Sequence, residues 1–244
     1  MPQRRHQVLA LDFDGTLARN NVVAPETIAA LEAWKAVGGK VVLVTGRSLD
    51  CFDGNGPSPL CFDRVDLFDR VVCDNGATVY DPAAGAVTFC QMLPAGLADA
   101  LRARTEIQPL WLGPGMVSSP STNRALIDAA IAQVGGVLHH EGNRSWSMWM
   151  QPGVTKATGL RQALRQIGCR LEQTVGMGDA QNDLSFLRVC GTSIAVGDAQ
   201  PELKAACDFV ATGASTDGVR EVAQALVTND LRGFGGRSRG QVAA

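Results

Sequence analysis

Short apolar runs mark the first predicted strands of this chain. Three runs have the length of a strand and are mostly apolar, namely Val8–Leu11, Lys40–Val44 and Arg70–Cys73. Such runs are typical of strands that are covered on both faces of a sheet. Between the first two runs, apolar residues recur at helical spacing after Pro25, and Gly38 ends the pattern. The pattern predicts a βαβ unit, and therefore a parallel sheet with a right-handed crossover.

The same alternation of helix and strand returns in the C-terminal part of the chain. The pattern predicts strands over 174–176, 193–196 and 209–210, and helices over 155–167, 182–189, 201–206 and 219–226. Together, the two parts of the chain predict an α/β fold with a doubly wound, mainly parallel sheet.

The middle of the chain follows a different order. Here the pattern predicts hairpin strands over 77–80 and 86–90, helices over 95–104 and from Ser119 to Val134, and strands over 137–140 and 145–150. This order is typical of a small α+β unit. We therefore predict a core over residues 1–82 and 153–231, an inserted domain over 83–152, and a disordered Gly- and Arg-rich tail over 232–244. Residues 50–68 fit no regular element, and the Gly and Pro residues of 53–59 indicate an irregular loop.

Composition narrows the class of protein. The 244 residues are 45% hydrophobic and 19% charged, and 22 Lys and Arg against 24 Asp and Glu give a net charge of -2. The hydrophobic fraction excludes wholesale disorder, and the balanced charge argues against a dedicated nucleic-acid binder. No apolar run approaches the ~18 residues that suggest a membrane span. The 7 Cys form no Cys-x-x-Cys pair, so we expect neither a disulfide framework nor a zinc site, and a reducing cytoplasm is the expected compartment.

Chemically active side chains gather where predicted strands end or helices begin. They are Asp12 and Asp14 after the first strand, Thr45 and Gly46 after the second, Lys156 at a helix start, and Asp179, Asn182 and Asp183 after a later strand. Each group alone has a plainer explanation, such as a polar loop, a common strand end, a solvated lysine or an Asx helix cap. Because ligands bind at the carboxyl ends of parallel strands, we expect the groups to meet. Gathered carboxylates suit Mg²⁺, and the metal and the lysine together would neutralise a phosphoryl group.

These residues resemble the four motifs of the haloacid dehalogenase superfamily. The matching segments are Asp12-x-Asp14-Gly15-Thr16, Thr45-Gly46-Arg47, Lys156 and Gly178-Asp179-x-x-Asn182-Asp183. Their order and spacing are similar to those of its Cof-like phosphatase branch, whose relatives include sucrose-phosphate and mannosyl-3-phosphoglycerate phosphatases. The resemblance implies a Rossmann-like core, with the inserted domain as a cap over the catalytic edge. Asp198 departs from the branch, which usually has Asn there.

The resemblance also implies a role for each residue. Asp12 would be the nucleophile that forms an aspartyl phosphate, and Asp14 would act as the acid and then the base. Mg²⁺ would be held by Asp12, the backbone carbonyl of Asp14 and Asp179, while Asp183 would orient metal-bound water or Lys156. The phosphoryl oxygens would be held by Thr45, Gly46, Lys156 and Asn182.

The implied activity is the Mg²⁺-dependent hydrolysis of a small phosphomonoester, such as a sugar phosphate. A phosphomutase-type phosphotransferase of the phosphomannomutase kind uses a similar core and cap, so this alternative stays open. A non-enzymatic module that binds Mg²⁺ or a phospho-ligand is a third hypothesis, but such a module has no reason to keep Asp14 and Lys156 together. The expected partner is therefore a small phosphorylated metabolite rather than a nucleic acid or a membrane.

Substrate contacts are predicted at three further positions. Arg47 is close in sequence to the phosphoryl-binding Thr45, Asn75 belongs to a segment that resembles the Asn-Gly-Ala segment of the branch, and Arg144 lies in a turn of the predicted cap. The neighbouring Glu141 is predicted to be a solvated hairpin residue. Three cap tryptophans are predicted to be core or cap-sheet residues rather than stacking platforms, namely Trp111, Trp146 and Trp149.

Overall fold

The computed structural model describes residues 4–51, 62–143 and 145–234, together with the backbone of residues 237 and 238. Its strands are β1 (Val8–Leu11), β2 (Lys40–Val44), β3 (Arg70–Cys73), β4 (Thr78–Asp81), β5 (Ala86–Cys90), β6 (Trp111–Leu112), β7 (Met116–Pro120), β8 (His139–Asn143), β9 (Trp146–Met150), β10 (Thr174–Gly178), β11 (Thr192–Ala195), β12 (Phe209–Val210) and β13 (Arg237–Ser238). Its α-helices are α1 (Pro25–Ala36), α2 (Leu97–Arg102), α3 (Arg124–Gln133), α4 (Lys156–Gln166), α5 (Leu184–Leu187), α6 (Pro201–Ala206) and α7 (Ser215–Asn229).

One large sheet contains nine of these strands, in the order β13-β12-β11-β10-β1-β2-β3-β4-β5. The strands from β12 to β3 pair in parallel, and the strands at both edges are antiparallel. The central strands β1 and β10 are buried along their whole length, as expected for strands covered on both faces. The prediction of a mainly parallel sheet is confirmed.

The sheet is doubly wound. Helix α1 connects β1 to β2 in one direction along the sheet, whereas α5 connects β10 to β11 in the other direction. Because such crossovers are right-handed, these two helices lie on opposite faces of the sheet. Helix α1 packs against α7, and α4 packs against α5. The direction of winding therefore reverses at β1 and β10, which is where open α/β sheets bind their ligands.

A second, antiparallel sheet is formed by the strand order β6-β7-β9-β8. Side chains alternate along its strands, so its two faces differ. On one face, Val117 and Trp149 pack against Leu101 of α2 and Ile127 of α3. The other face is turned toward the carboxyl edge of the large sheet. Residues of this face and of that edge line one cavity. This sheet with its two helices is the small α+β cap that the sequence predicts.

Some boundaries differ from the predictions. The helix predicted from Ser119 begins only at Arg124, because Ser119 and Pro120 end β7 and pair with β9. Strand β5, which the predicted cap of 83–152 includes, pairs with β4 in the large sheet. Apart from that strand, the division into core and cap stays a prediction. The predicted loop 53–59 and most of the predicted tail lie outside the described residues, although β13 pairs with β12.

Two observations bear on the environment of the protein. Among the helices that the structure describes, none combines the length and the hydrophobicity that a membrane crossing requires. Four cysteines in the described ranges are buried, where cysteine packs as a small apolar residue, namely Cys51, Cys73, Cys169 and Cys207. The absence of a disulfide framework stays a prediction.

Candidate active site

Three of the predicted motifs follow neighbouring strands of the large sheet. Asp12 follows β1, Thr45 follows β2 and Asp179 follows β10, and β1 pairs in parallel with both of the other strands. Parallel strands end at the same edge of a sheet, so the three side chains lie close together. All three are buried, with 5% or less of each residue exposed. The pairing of β1 therefore brings two carboxylates and a hydroxyl to a single site.

The loop after β1 turns back directly beside Asp179. The Leu17 N–H donates to the Asp12 carbonyl at 3.2 Å, and the Thr16 hydroxyl donates to Asp179 Oδ1 at 3.4 Å. Gly15 has a φ of +85°, and a Cβ atom there would lie 2.6 Å from Asp179 Oδ2. Glycine is required at this position because the backbone is left-handed and the second acidic loop approaches it closely.

Lys156 joins two of the motifs through a buried ammonium group. Its Nζ donates to Asp12 Oδ1 at 2.5 Å and to Asp183 Oδ1 at 2.6 Å. The lysine is the first residue of α4, and Thr155 caps this helix by accepting a hydrogen bond from the backbone N–H of Thr158. The cap fixes the start of α4, and with it the direction in which the lysine leaves the helix.

Gly76 allows α4 to begin close to the loop after β3. It has a φ of +109°, and a Cβ atom there would lie 1.9 Å from the Thr155 carbonyl oxygen. No other residue type fits so close to the backbone that precedes α4. This contact lets Lys156 reach Asp12, which lies 144 positions earlier in the chain.

The buried charges of the site do not balance. Asp12, Asp179 and Asp183 offer carboxylate oxygens that all lie within 4.8 Å of one another. Burial and the nearby Asp183 raise the pKa of Asp12 well above its ordinary value, although Lys156 acts in the opposite direction. Burial alone would lower the pKa of Lys156, but Asp12 and Asp183 outweigh it and raise that pKa. The lysine is therefore charged, and it neutralises part of the negative charge of Asp12 and Asp183, which it contacts directly.

This donor set fits a divalent cation. Carboxylate oxygens are hard ligands of the kind that Mg²⁺ prefers. Asp183 already accepts hydrogen bonds at Oδ2 from the backbone N–H groups of Asp179 and Ala180, at 2.9 and 3.1 Å, while Lys156 occupies its Oδ1. Asp12 and Asp179 are thus better suited to contact a cation, and Asp183 is better suited to position Lys156 and the second acidic loop.

Asp14 is fixed by a two-pronged contact with Arg47. Arg47 Nε donates to Asp14 Oδ2 at 2.7 Å, and Nη2 donates to Asp14 Oδ1 at 2.5 Å. Nη2 also donates to Asn21, and the guanidinium carbon lies 5.4 Å from the centre of the Phe13 ring. Such paired hydrogen bonds define the orientation of a carboxylate. Arg47, predicted as a substrate contact, lines the cavity but binds Asp14 directly.

Of the remaining predicted phosphate-binding residues, Gly46 and Asn182 line the cavity and Thr45 lies beside Gly46 in sequence. Thr45 is buried, and its hydroxyl accepts a hydrogen bond from the Arg47 backbone N–H at 3.1 Å. Gly46 and Asn182 line the cavity together with Asp12. A Cβ atom at Gly46 would lie only 3.6 Å from Met148 Sδ, so the cap approaches this loop closely. Their role in binding phosphate stays a prediction.

Asn75, another of the predicted substrate contacts, is not among the residues that line the cavity. Asn75 is buried beneath the cap, and its Nδ2 donates to Glu141 Oε2 at 2.5 Å, which joins the core to the cap. The prediction that Glu141 is a solvated hairpin residue is wrong, because it is half-buried in this contact. Burial raises the pKa of Glu141, although the hydrogen bond from Asn75 opposes the rise. Arg144 lies outside the described residues.

Asp198 connects α7 to the catalytic edge. Its Oδ1 accepts a hydrogen bond from the backbone N–H of Ser215 at 2.8 Å, and the Ser215 hydroxyl donates to the Thr16 carbonyl at 3.4 Å. Asp198 and Ser215 both line the cavity. An Asn side chain also offers an oxygen acceptor, so the departure from the usual residue preserves this contact.

A cavity of about 540 Å³ lies between the two sheets. Its core side includes Asp12, Asp14, Arg47, Asp179 and Asn182, and its described cap side includes Trp111, Met116, Ser118, Asn143, Trp146 and Met148. Sequence reasoning missed this cap-side set. Alternation along β9 does place Trp146 and Met148 on one face and Trp149 on the other. Alternation cannot tell which face meets the core. Trp149 lies in the cap core, and Trp111 and Trp146 lie in the cap sheet, which agrees with the prediction of core or cap-sheet residues.

Comparisons with known proteins agree with this geometry. A family model described as haloacid dehalogenase-like hydrolase matches residues 9–103 and 136–222. The phosphoglycolate phosphatase of Natronomonas pharaonis is 28% identical over 226 residues, which cover 87% of this chain and 94% of that protein. The phosphoglycolate phosphatase of Metallosphaera sedula is 27% identical over 230 residues, covering 91% of this chain and 99% of that protein.

Solved structures share the whole architecture. A sugar phosphatase of haloacid dehalogenase subclass IIB has a TM-score of 0.67 at 22% identity, covering 90% of this chain and 97% of its own. A haloacid dehalogenase-like hydrolase from Bacteroides thetaiotaomicron has a TM-score of 0.71 at 18% identity, covering 91% of this chain and 99% of its own. At these identities the likeness shows that the core and the cap share a known fold.

Proposed function

Because the chain belongs to the haloacid dehalogenase-like hydrolase family and is an enzyme of the phosphatase type, we propose that it hydrolyses a small phosphomonoester in a Mg²⁺-dependent reaction through an aspartyl phosphate. The curated relatives are named for phosphoglycolate, and one structural neighbour is named a sugar phosphatase. The substrate is therefore a small phosphorylated metabolite, and its phosphoryl group binds at the carboxyl edge of the large sheet.

Asp12 is the nucleophile of the first step. Lys156 holds its Oδ1, which leaves Oδ2 to attack phosphorus. A new Oδ2–P bond forms while the bond from phosphorus to the leaving oxygen breaks, with the electron pair going to that oxygen. Phosphoryl transfer depends chiefly on alignment and charge neutralisation, and the fixed carboxylate and the buried ammonium supply both.

Asp14 moves the protons of both steps. In the first step it donates a proton to the leaving oxygen, and in the second it takes a proton from the water that attacks the aspartyl phosphate. Water then forms the new P–O bond, the Oδ2–P bond breaks, and inorganic phosphate and free Asp12 result. Arg47 positions Asp14 for both transfers through its two hydrogen bonds.

Mg²⁺ fits beside Asp12 and Asp179, where, when bound, it neutralises phosphoryl charge. Asp183 does not need to contact the metal ion, because the Asp183 oxygens hold Lys156 and the loop after β10. Thr45, the Gly46 backbone and Asn182 bind phosphoryl oxygens at the same edge of the large sheet. We infer that a reducing cytoplasm is the site of this reaction, because the 7 Cys of the sequence form no Cys-x-x-Cys pair.

The observation that most directly supports this function is the buried contact of Lys156 with Asp12 and Asp183. Keeping an ammonium between buried carboxylates is costly for stability alone, and a structural pair of this kind is often replaceable by apolar residues. A reaction that needs a fixed nucleophile and an adjacent positive charge explains why these residues occupy the edge of a parallel sheet.

The test is phosphate release from a panel of phosphomonoesters with and without Mg²⁺. We expect wild-type activity to need Mg²⁺, Asp12→Asn to abolish turnover while keeping the fold by circular dichroism, and the exposed Asp99→Asn control to behave as wild type. Retained turnover in Asp12→Asn would disprove the nucleophile assignment. Isomerised sugar phosphate with little free phosphate would instead identify a phosphomutase.

A further inference from the structure

The cap side of the cavity carries two stacked indole rings. The ring centroids of Trp111 and Trp146 are 4.4 Å apart, and the ring planes differ by 15°. Trp111 on β6 pairs with Ser118, and Trp146 on β9 pairs with Pro120, so the two tryptophans flank β7 on the same face of the sheet. The small side chain of Ser118 leaves room for the rings to meet above β7. The pair forms a broad, flat, apolar surface.

This pair is not part of the cap core. Trp149 fills the core from the opposite face, where it is 1% exposed and its indole N–H donates to Asp128 at 2.8 Å. Trp111 and Trp146 are only half-buried and line the cavity. Within the part of the chain that the structure describes, their indole N–H groups have no acceptor. Since a tryptophan N–H usually has a partner once it is buried, these two are placed to meet water or a ligand.

The described cap residues that line the cavity beside the pair are uncharged. Met116 and Met148 continue the apolar surface, and Asn143 adds one polar group whose buried Oδ1 has no hydrogen-bond partner among the described residues. As far as the structure describes it, the cap side of the cavity presents no charged side chain. A ring with one apolar face could stack here.

The size of the cavity leads to the same conclusion. Pockets of about 300–1,000 Å³ hold ligands of the size of a drug molecule. At about 540 Å³, this cavity is far larger than a two-carbon acid requires. A ring-bearing leaving group would reach the tryptophans while its phosphoryl group lies at Asp12.

We propose that the Trp111–Trp146 pair is a stacking platform for a ring in the leaving group. The enzyme would then prefer ring-bearing phosphomonoesters to short acidic ones such as phosphoglycolate. This inference rests on the proposed function, because it assumes that the phosphoryl group binds at Asp12. Trp146 is a specificity-determining residue in this scheme, and Trp111 supports it by stacking against its other face.

The test compares glucose 6-phosphate, phenyl phosphate and phosphoglycolate as substrates of the wild type, Trp146→Ala, Trp146→Phe and His140→Ala. His140 lies in the same sheet but on the opposite face, so its variant controls for general damage to the cap. We expect Trp146→Ala to lower the ratio of kcat/KM for a ring substrate to that for phosphoglycolate by about tenfold, which corresponds to ~1.4 kcal/mol. Trp146→Phe should restore most of the ratio, and His140→Ala should leave it unchanged.

A loss on glucose 6-phosphate identifies a sugar ring as the leaving group, and a loss confined to phenyl phosphate identifies an aromatic ring. An unchanged ratio in Trp146→Ala, or a wild type that prefers phosphoglycolate to both rings, would overturn the platform and leave phosphatase activity intact. Calorimetry of ring-phosphate binding to Asp12→Asn, with and without Trp146→Ala, needs no turnover. Equal affinities there would overturn the platform even if the proposed reaction failed.

Discussion

Removal of the buried ammonium is the sharpest test of how the site is held together. In Lys156→Met, the apolar part of the side chain is kept while the hydrogen bonds to Asp12 and Asp183, at 2.5 and 2.6 Å, are lost. All three side chains are almost fully buried, with exposures of 0%, 7% and 0% for Lys156, Asp12 and Asp183. The variant therefore removes the ammonium that contacts the buried carboxylates of Asp12 and Asp183.

The size of the effect follows from this burial. Removing one partner of a buried ion pair costs about 3–5 kcal/mol, because the remaining charge stays desolvated and unpaired. For a chain of this length, each kcal/mol lowers the melting temperature by about 2–4 °C, so the expected loss is about 6–20 °C. The destabilisation should shrink as the pH falls, because burial and Asp183 already raise the pKa of Asp12 and protonation relieves the unpaired charge.

The assay is urea unfolding followed by circular dichroism, at neutral pH, with EDTA and then with added Mg²⁺. Mg²⁺ should restore part of the lost free energy of unfolding by supplying a cation to the same carboxylates. Arg102→Met is the matched control, since it removes a cation from the exposed Asp99 pair and should cost less than about 1 kcal/mol. A Lys156→Met variant within about 1 kcal/mol of the wild type in EDTA would refute this reasoning.

Two further predictions concern other contacts. In Arg47→Lys, an ammonium cannot reproduce the two-pronged contact with Asp14. A general acid accelerates a reaction by ~10²–10⁴-fold, so misplacing Asp14 should lower kcat for an alkyl phosphate by at least about tenfold. The kcat for p-nitrophenyl phosphate should fall much less, because its leaving group needs little protonation. Equal losses of kcat on both esters would contradict the role of Arg47 in positioning Asp14. At Asp230, burial opposes ionisation, but hydrogen bonds from the Arg5 and His6 backbone N–H groups outweigh it and lower the pKa of Asp230. Because a lowered pKa stabilises the fold above the unfolded value of ~3.9, Asp230→Asn should cost about 1–2 kcal/mol at neutral pH, and the difference should disappear as the pH falls through the lowered pKa. Urea titrations over this range check the sign, and a difference that grows toward acid pH would contradict it.

The sequence by itself determined the parallel sheet and the chemistry at its edge. Buried runs such as Val8–Leu11 are apolar on both faces, and this property is local, so the strands could be identified one by one. Parallel strands end together, so the residues that follow them, including Asp12 and Asp179, could be assigned to one edge before any contact was known. The family resemblance rests on these same residues, which explains why the family and the type of enzyme were predictable.

Only the tertiary structure decided which atoms meet. Ser119 and Pro120 carry a helix-start signal, but pairing of β7 with β9 satisfies their backbone in a strand instead, and such pairing depends on residues almost thirty positions away. The sequence predicts a solvated Glu141, but in the folded protein its carboxylate accepts a hydrogen bond from Asn75 of the core. Alternation in β9 groups Trp146 with Met148, yet the face that meets the catalytic edge depends on how the whole cap packs. The chemistry of the site is therefore set by local sequence, whereas the shape that selects its substrate is set by contacts between distant segments.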